Sequence, residues 1–444
     1  LKPAAHDVRA LAVWVVEQTL VAKSPADRFI QQAEAGLPGR DRRLLRELGL
    51  GTLRWLRRLD QILESASFRP LQAVDPRLRG PLRVGAYQLL FLDRVPAHAA
   101  VNEAVEQARR RTHRGGAGFV NAVLRRIARA PSLAAWAVEE AEPIRRLGIE
   151  FSHPDLLVER WLGQFGEEKT RALLSANNQR KPVQLLVLAG RPALEQVAAR
   201  LAEEGVETQP STLSPVGLVV SSGDAMQTEA WRQGEIYLQD VASQSAALVP
   251  SPEPGERIAD LAAAPGGKSF SLLAYEPRVK ITAADRDLHR LLTVRQNRER
   301  LKQRLDLVLA DGASPPWKAS FDRVVLDLPC TGSGTLRKHP ELKWRISEDE
   351  ISRLSRQGLT LVEAAADLVC PGGLLSVVTC SIEPEENQGV VSRFLAGRPA
   401  FEPAEFQGSV PTPLFRYEVG SGQWQILPAD VHDGFTVNVL RRRY

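Results

Sequence analysis

Between about residues 7 and 130, apolar positions recur at intervals of three and four, in residues 10–20, 41–63, 76–92 and 102–111, and again in 119–127. That spacing lines one face of an α-helix, and no stretch here alternates as a strand would. Gly36-Leu37-Pro38-Gly39, Arg69-Pro70, Val95-Pro96 and Gly115-Gly116 punctuate the pattern into helices of ordinary length. The expectation is an all-α bundle, continued over residues 131–180 by a polar connector with one or two further helices. The period then changes. Residues 183–187 and 217–221 read as strands and 193–204 as a helix, a small α+β segment ending near Pro250-Ser251-Pro252. From Arg257 onward, five apolar strand patterns at 257–262, 279–284, 305–310, 321–326 and 374–379 alternate with amphipathic helices. Such alternation predicts a doubly wound, mainly parallel α/β sheet, which binds ligands at the carboxyl ends of its strands. The chain is thus multidomain, with boundaries expected at 1–135, 136–250 and 251–444.

Composition agrees with a globular chain: of 444 residues, 43% are hydrophobic and 25% charged, which excludes a disordered or collagen-like protein. No apolar run is long enough to span a membrane and the N-terminus has no signal-peptide pattern, so the expected location is cytoplasmic. Charge is unevenly spread. Residues 1–150 hold 25 Lys and Arg against 16 Asp and Glu, whereas the remainder is acidic by four. Arginine dominates the basic set, and its planar fork suits phosphate. Arg109, Arg110, Arg111, Arg125 and Arg126 are the candidate nucleic-acid contacts; a solvated helix face is the competing reading.

The three cysteines, Cys330, Cys370 and Cys380, have neither C-x-x-C spacing nor histidines at zinc-finger offsets, so no metal site or disulfide framework is expected. Asp260-Leu-Ala-Ala-Ala-Pro-Gly-Gly-Lys268-Ser269 runs from a strand through a Gly-rich turn into a helix, a place for an anionic or carboxylate-bearing ligand. Gly267-Lys268-Ser269 also matches the end of the phosphate-binding loop of ATPases, but Ala262 stands where that loop begins with glycine and Pro265 stiffens it. Asp285 ends the next strand, about where an acidic residue meets ribose hydroxyls in nucleotide-type sites, and Asp311 ends the third. Asp327-Leu-Pro-Cys330 places a carboxylate and a thiol after the fourth strand, and Thr379-Cys380-Ser381, followed by Pro384-Glu385-Glu386-Asn387, places a second thiol after the fifth. Neighbouring strand ends bring both thiols to one crevice. Cys370, before Pro371-Gly372-Gly373, reads as an inert thiol closing an apolar helix.

With Gln239-Asp240-Val-Ala-Ser-Gln244, Arg337, Pro340, Trp344, Leu427-Pro428 and Asp433-Gly434-Phe435 added, these motifs resemble the RNA 5-methylcytosine methyltransferases over about residues 237–440. The front of the chain, with Arg83-Val-Gly-Ala-Tyr-Gln-Leu-Leu-Phe-Leu-Asp-Arg-Val-Pro-Ala-His98, Val101-Asn102-Glu103-Ala104-Val105 and Phe119-Val-Asn-Ala-Val-Leu-Arg-Arg126, resembles the NusB-like helical domain. Together they are similar to the bacterial 16S rRNA cytosine-5 methyltransferases that join those two domains.

The resemblance implies a NusB-like RNA-binding domain, a middle α+β segment and a Rossmann-like methyltransferase domain. It implies S-adenosylmethionine as cofactor, held by Ala262, Ala263, Ala264, Pro265, Gly266, Gly267, Lys268, Asp285, Asp311 and Asp327. Cys380 would be the nucleophile that adds to carbon 6 of cytosine, Cys330 would assist product release, and Asp327 would position the base. The implied partner is 16S rRNA free of the assembled subunit, and the protein is expected to act as a monomer without metal or membrane. Another RNA such as tRNA, a P-loop NTPase and a non-catalytic RNA-binding protein remain the alternatives. Relatives usually have Arg and Asn where this chain has Leu186 and Leu188, and often Cys, Ala and Ser at Ala262, Leu328 and Thr331.

Overall fold

The computed structural model describes Pro3 and residues 7–188, 193–318, 320–404 and 418–444. They divide into two units, Leu1–Gln179 with Leu336–Arg345, and Arg180–Thr335 with Ile346–Tyr444. The first is helical: α1 (Val8–Ala22), α2 (Ala26–Glu34), α3 (Gly39–Arg54), α4 (Leu56–Ser67), α5 (Pro76–Phe91), α6 (Ala97–Arg111), α7 (Arg114–Ala128), α8 (Pro143–Glu150) and α9 (Asp155–Ala176). Its core is the apolar faces that the spacing predicts, among them Leu11, Val15, Leu48, Leu59, Leu82, Val101, Val120 and Leu124. The continuous periodicity of residues 41–63 hides a break at Trp55, whose backbone leaves the helical region at φ −102°, ψ 16°. The Ser152 hydroxyl accepts from the amide of Arg57 at 3.1 Å, so the restart at α4 depends on a residue far along the chain.

Residues Leu336–Arg345, although they follow the Pro-Cys loop in sequence, pack in this helical unit. Glu341 accepts from the amide of Ala26 at 3.1 Å and so caps α2, which has no side-chain cap of its own. Trp344 donates to the Leu53 carbonyl at 2.8 Å. Lys343 donates to the carbonyls of Arg54 and Ser152, each at 3.2 Å, and to Asn178 Oδ1 at 2.8 Å; burial, aided by Arg54, holds its pKa well below the ordinary lysine range.

The second unit begins with β1 (Gln184–Val187), α10 (Leu194–Glu203), β2 (Glu207–Pro210), β3 (Gly217–Ser222), α11 (Glu229–Arg232) and β4 (Ile236–Leu238), an antiparallel sheet in the order β2-β3-β1-β4. Two of its strands are too short or too polar to stand out in the sequence. Leu186 is fully buried in the adjoining apolar core and Leu188 packs against that core. There follow α12 (Val241–Ala247), β5 (Arg257–Asp260), α13 (Gly267–Tyr275), β6 (Lys280–Asp285), α14 (Leu288–Arg300), β7 (Asp306–Leu309), β8 (Phe321–Asp327), α15 (Glu348–Ala366), β9 (Val369–Thr379), α16 (Gln388–Gly397), β10 (Phe401–Pro403), β11 (Glu418–Gly420), β12 (Gln423–Ile426) and β13 (Phe435–Arg442).

These strands order as β11-β12-β13-β9-β8-β5-β6-β7, with β10 on β13. β7, β6, β5, β8 and β9 run parallel, and the strands after β9 add antiparallel, so the sheet is mixed. Ile258 and Val325 face one apolar layer with Phe270 and Leu273, while Ala259, Val324 and Leu326 face another with Val362 and Phe394. Burial on both faces explains the continuous apolar runs of the central strands. Cys370 differs from expectation. It lies within β9, because α15 ends at Ala366 and the Pro-Gly-Gly that follows Cys370 shifts the register between β8 and β9.

Candidate active site

The order of β5 between β6 and β8 makes a switch point, and the chemically suggestive residues gather at its carboxyl end. The turn after β5 is pinned from both neighbours: Leu261 N donates to the Val325 carbonyl at 3.1 Å and Ala263 N to that of Ala284 at 2.9 Å. Gly266 sits at φ 106°, where a Cβ would lie 2.5 Å from the Phe270 ring, so glycine alone fits. Arg290 and Asn297 of α14 donate to the carbonyls of Ala264 and Pro265 at 2.9 and 3.0 Å. Ser269 donates to Asp260 at 2.7 Å, and burial pushes the Asp260 carboxyl up to about 6.

A cavity of about 470 Å³ opens beside this turn, lined by Ala262, Asp285, Asp311, Asp327, Cys330 and Cys380 among others. Asp285 is 2% exposed. Its Oδ1 accepts from the amide of Asp287 at 3.0 Å, while its buried Oδ2 has no hydrogen-bond partner, Arg290 being 3.6 Å away. A buried acceptor left open toward a cavity is suited to a ligand hydroxyl. Asp311 accepts from the amide of Ala313 at 3.0 Å. Asp327 is held through one oxygen by Lys268 Nζ at 2.5 Å. Burial pulls the Lys268 amine down, but the Asp327 carboxylate outweighs it and the net shift is upward, so the ammonium form persists.

Cys330 Sγ and Cys380 Sγ lie 3.3 Å apart. The hydrogen bond to Cys380, with burial and the nearby charges of Cys380, Glu386 and Asp327, raises the Cys330 pKa well above the ordinary thiol range. Cys330 therefore keeps its proton, and either sulfur can donate in the S–H···S contact.

Both thiol loops are tied to one carboxyl. Glu386 accepts from Thr331 N at 2.8 Å, from Thr331 Oγ1 at 2.6 Å and from Ser381 Oγ at 2.5 Å. Asn387 accepts from Thr379 Oγ1 at 2.6 Å and donates to the carbonyls of Ser381 and Glu383 at 3.0 and 2.9 Å. Gly334 N donates to the Cys380 carbonyl at 2.9 Å, and Gly434 N donates to the Gly334 carbonyl at 2.7 Å. Gly434 is placed by its neighbour Asp433, which shares Lys181 with Asp240; Lys181 Nζ is 2.5 Å from both carboxylates. Burial alone would raise the Asp240 pKa, but Lys181 holds it below the usual carboxylate range. Motif fragments nearly 200 residues apart thus form one support.

A family model described as 16S rRNA methyltransferase RsmB/F matches residues 247–441, one described as NusB family matches 6–129, and one described as an RsmF/B-like ferredoxin-like domain matches 153–227. The ribosomal RNA small subunit methyltransferase B of Klebsiella pneumoniae (strain 342) is 33% identical over 401 residues, covering 89% of this chain and 91% of that protein. That of Vibrio cholerae is 32% identical over 443 residues, covering 99% of this chain and 98% of that protein. The chain belongs to the 16S rRNA methyltransferase RsmB/F family. Among solved structures, PH0851 is 27% identical with a TM-score of 0.78, covering 100% of both chains.

In this RsmB/F-family chain, Ala262, Asp285, Asp311, Asp327, Cys330 and Cys380 meet at one cavity, while residues 263–267 form the turn beside it and Lys268 reaches it through Asp327. Cys370 lies apart, 3.6 Å from Arg257 Nη2. The arginines divide. Arg109, Arg110 and Arg111 are paired with Glu106, Asp7 and Glu17, whereas Arg125 and Arg126 are exposed on α7. Gln357, Thr360 and Leu361 of α15 also line the cavity, and nothing in the local sequence marks them. Among the described residues, no group of three or more His, Cys, Asp or Glu side chains could hold a metal, and no helix is long and apolar enough to cross a membrane.

Glu386 stood in its motif as a bystander and Gly334 follows the Pro-Cys loop unmarked, but the geometry makes both supports of the thiols. A Cβ at residue 334 would fall 2.4 Å from the Gly434 carbonyl oxygen and 2.9 Å from that of Cys380. Gly334→Ala should therefore displace the Cys380 loop and lower the kcat of methyl transfer about 10- to 100-fold, since ångström-scale misplacement costs that much. A variant with wild-type kcat would show that this backbone approach is dispensable.

Proposed function

We propose that the protein transfers a methyl group from S-adenosylmethionine to carbon 5 of a cytosine in 16S rRNA, through covalent addition of Cys380 to carbon 6. The observation that supports this most directly is the pair of thiols 3.3 Å apart beside the strand-end cavity.

Cys380 Sγ takes the nucleophile role by its motif position, and the raised pKa of Cys330 disfavours that thiol for it; addition to carbon 6 makes carbon 5 electron-rich. Asp327, anchored by Lys268 through Oδ2, has its other oxygen for the donor edge of cytosine. Bound S-adenosylmethionine would supply an electrophilic methyl group on a sulfonium. Asp285 would hold its ribose hydroxyls, with Asp311 and the Ala262 turn beside it; the open Oδ2 of Asp285 supports that fit. Once methylated, carbon 5 gives up its proton to water, the C–H electron pair re-forms the double bond to carbon 6, and the bond from carbon 6 to Cys380 breaks. Cys330, next to Cys380 and still carrying its proton, donates to the departing sulfur and is reprotonated from solvent. The target base must leave its stack to reach the cavity. A phosphate-loop reading has less support, because Lys268 is committed to Asp327 and Ser269 to Asp260.

The substrate expected is rRNA free of the assembled subunit, met by a monomer. The test is transfer of labelled methyl from S-adenosylmethionine to unmethylated 16S rRNA, to assembled small subunits and to tRNA. Labelling of naked 16S rRNA at cytosine carbon 5 is the expected result; labelling of tRNA alone, or of none, would overturn the reading. Asp285→Ala should raise the cofactor Kd about 10-fold or more, the scale of losing one well-placed hydrogen-bond acceptor. An unchanged Kd by calorimetry would remove Asp285 from the site.

A further inference from the structure

Phe68 ends α4 in the left-handed region, at φ 55° and ψ 32°, where glycine is the usual residue and a bulky side chain is strained. Its side chain gains no burial in return: Phe68 is 78% exposed. A strained backbone presenting an aromatic ring to water is an outlier that points toward function. The Arg126 guanidinium lies over the ring, 4.0 Å from its centroid, without removing the residue from solvent. Next to it, the Arg69 guanidinium lies 5.4 Å from the ring of Phe119.

The surroundings are cationic and smooth. Phe119, Ala122, Arg126 and Arg129 recur along one side of α7, with Arg125 and Gly118 adjoining, and nothing lies within 4 Å of where a Cβ on Gly118 would be. Among the described residues, Arg69, Arg125, Arg126 and Arg129 have no acidic partner, in contrast to Arg109, Arg110 and Arg111. A partner for this face must bring a flat π-system and negative charge together, and small residues let a phosphate backbone approach closely. An unpaired nucleotide has those properties. An apolar protein partner would bury Phe68 but would also have to cover the unpaired arginines around it.

We propose that Phe68 and Arg126 form a stacking platform for an unpaired base of single-stranded RNA, with Arg69, Arg125 and Arg129 contacting the flanking phosphates. The proposal rests on the rRNA reading above and names a surface for it in the helical unit.

The test uses the full chain and a fluorescent, adenine-rich single-stranded RNA oligonucleotide, read by anisotropy, alongside methylation of 16S rRNA. Phe68→Ala and Phe68→Gly should weaken binding roughly 5- to 100-fold, the range of one base–aromatic stack, and Phe68→Trp should restore it. Phe68→Gly should melt no lower than wild type, because glycine suits the left-handed position, so weaker binding cannot be ascribed to unfolding. In methylation these variants should raise KM for rRNA and leave kcat unchanged. Ultraviolet crosslinking should attach the oligonucleotide at or beside Phe68. If wild type methylates rRNA but Phe68→Gly binds the oligonucleotide equally well, the platform is wrong and the rRNA reading survives. If wild type neither binds nor methylates RNA, both fall. Loss of a protein contact in Phe68→Gly with RNA affinity unchanged would assign the face to a protein instead.

Discussion

Cys380→Ala should abolish methyl transfer to rRNA, by at least ~10⁴-fold in kcat, while Cys330→Ala should leave a protein–RNA adduct that survives denaturing electrophoresis. The asymmetry follows from the surroundings of Cys330. The Cys330 thiol is held protonated, first by its hydrogen bond to Cys380 and then by burial and the surrounding charges. It can donate to Cys380 but is a poor nucleophile in that state, since the thiolate is the reactive form. Without Cys380 no bond to carbon 6 forms. Without Cys330 the bond still forms, but the step that breaks it loses its neighbour. Neither variant should disturb the fold strongly, because the loops are tied by Glu386, Ser333 and Gly334 and not by sulfur. If Cys330→Ala were silent and Cys380→Ala trapped RNA, the roles would be exchanged.

Glu386→Ala should lower kcat about 100-fold with little change in the KM for rRNA, because it unties both thiol loops at once and ångström-scale misplacement is enough for such a loss. The Glu386 carboxyl is the shared acceptor of Thr331, beside Cys330, and Ser381, beside Cys380. Burial pushes it up to about 7, against hydrogen bonds from Ser381 and Thr331 that pull the other way and the Glu383 charge that adds to the rise. Raised from an ordinary 4.5, it gives the folded chain more bound protons than the unfolded chain between those values. Its contribution to stability is therefore full below the ordinary carboxylate range and is lost as pH rises through about 7, a change on the order of 3 kcal/mol. Asp260, raised to about 6, acts in the same direction. The measurement is denaturant unfolding of wild type and Glu386→Gln at pH 5 and pH 8. Wild type should lose more stability across that interval than the glutamine variant, which no longer titrates at residue 386. Equal losses, or an alanine variant with wild-type kcat, would remove Glu386 from its place between the thiols.

Much of the fold and of the site is legible in the sequence. Helical periodicity of 3.6 and strand runs bounded by Gly and Pro are local properties, so the bundle and the parallel strands followed from spacing alone. The strand-end position of Asp285, Asp327, Cys330 and Cys380 followed too, because a doubly wound sheet sends every such end to the same side. Local pattern failed where a local preference was overridden. The helix over 41–63 breaks at Trp55, where Ser152 supplies a cap from elsewhere, and Cys370 joins a strand because register, not propensity, governs the Pro-Gly-Gly stretch.

The sequence by itself determined the kinds of element, the order of the motifs and the family, since those depend on residues near one another or on their succession. The raised pKa of Cys330, which glutamate of Pro-Glu-Glu-Asn ties the loops, and the packing of residues 336–345 in the helical unit were decided by tertiary structure alone. The reason is physical: hydrogen bonds between residues 50 or more positions apart, and the burial that shifts a thiol or a carboxyl, arise only when the chain has closed on itself.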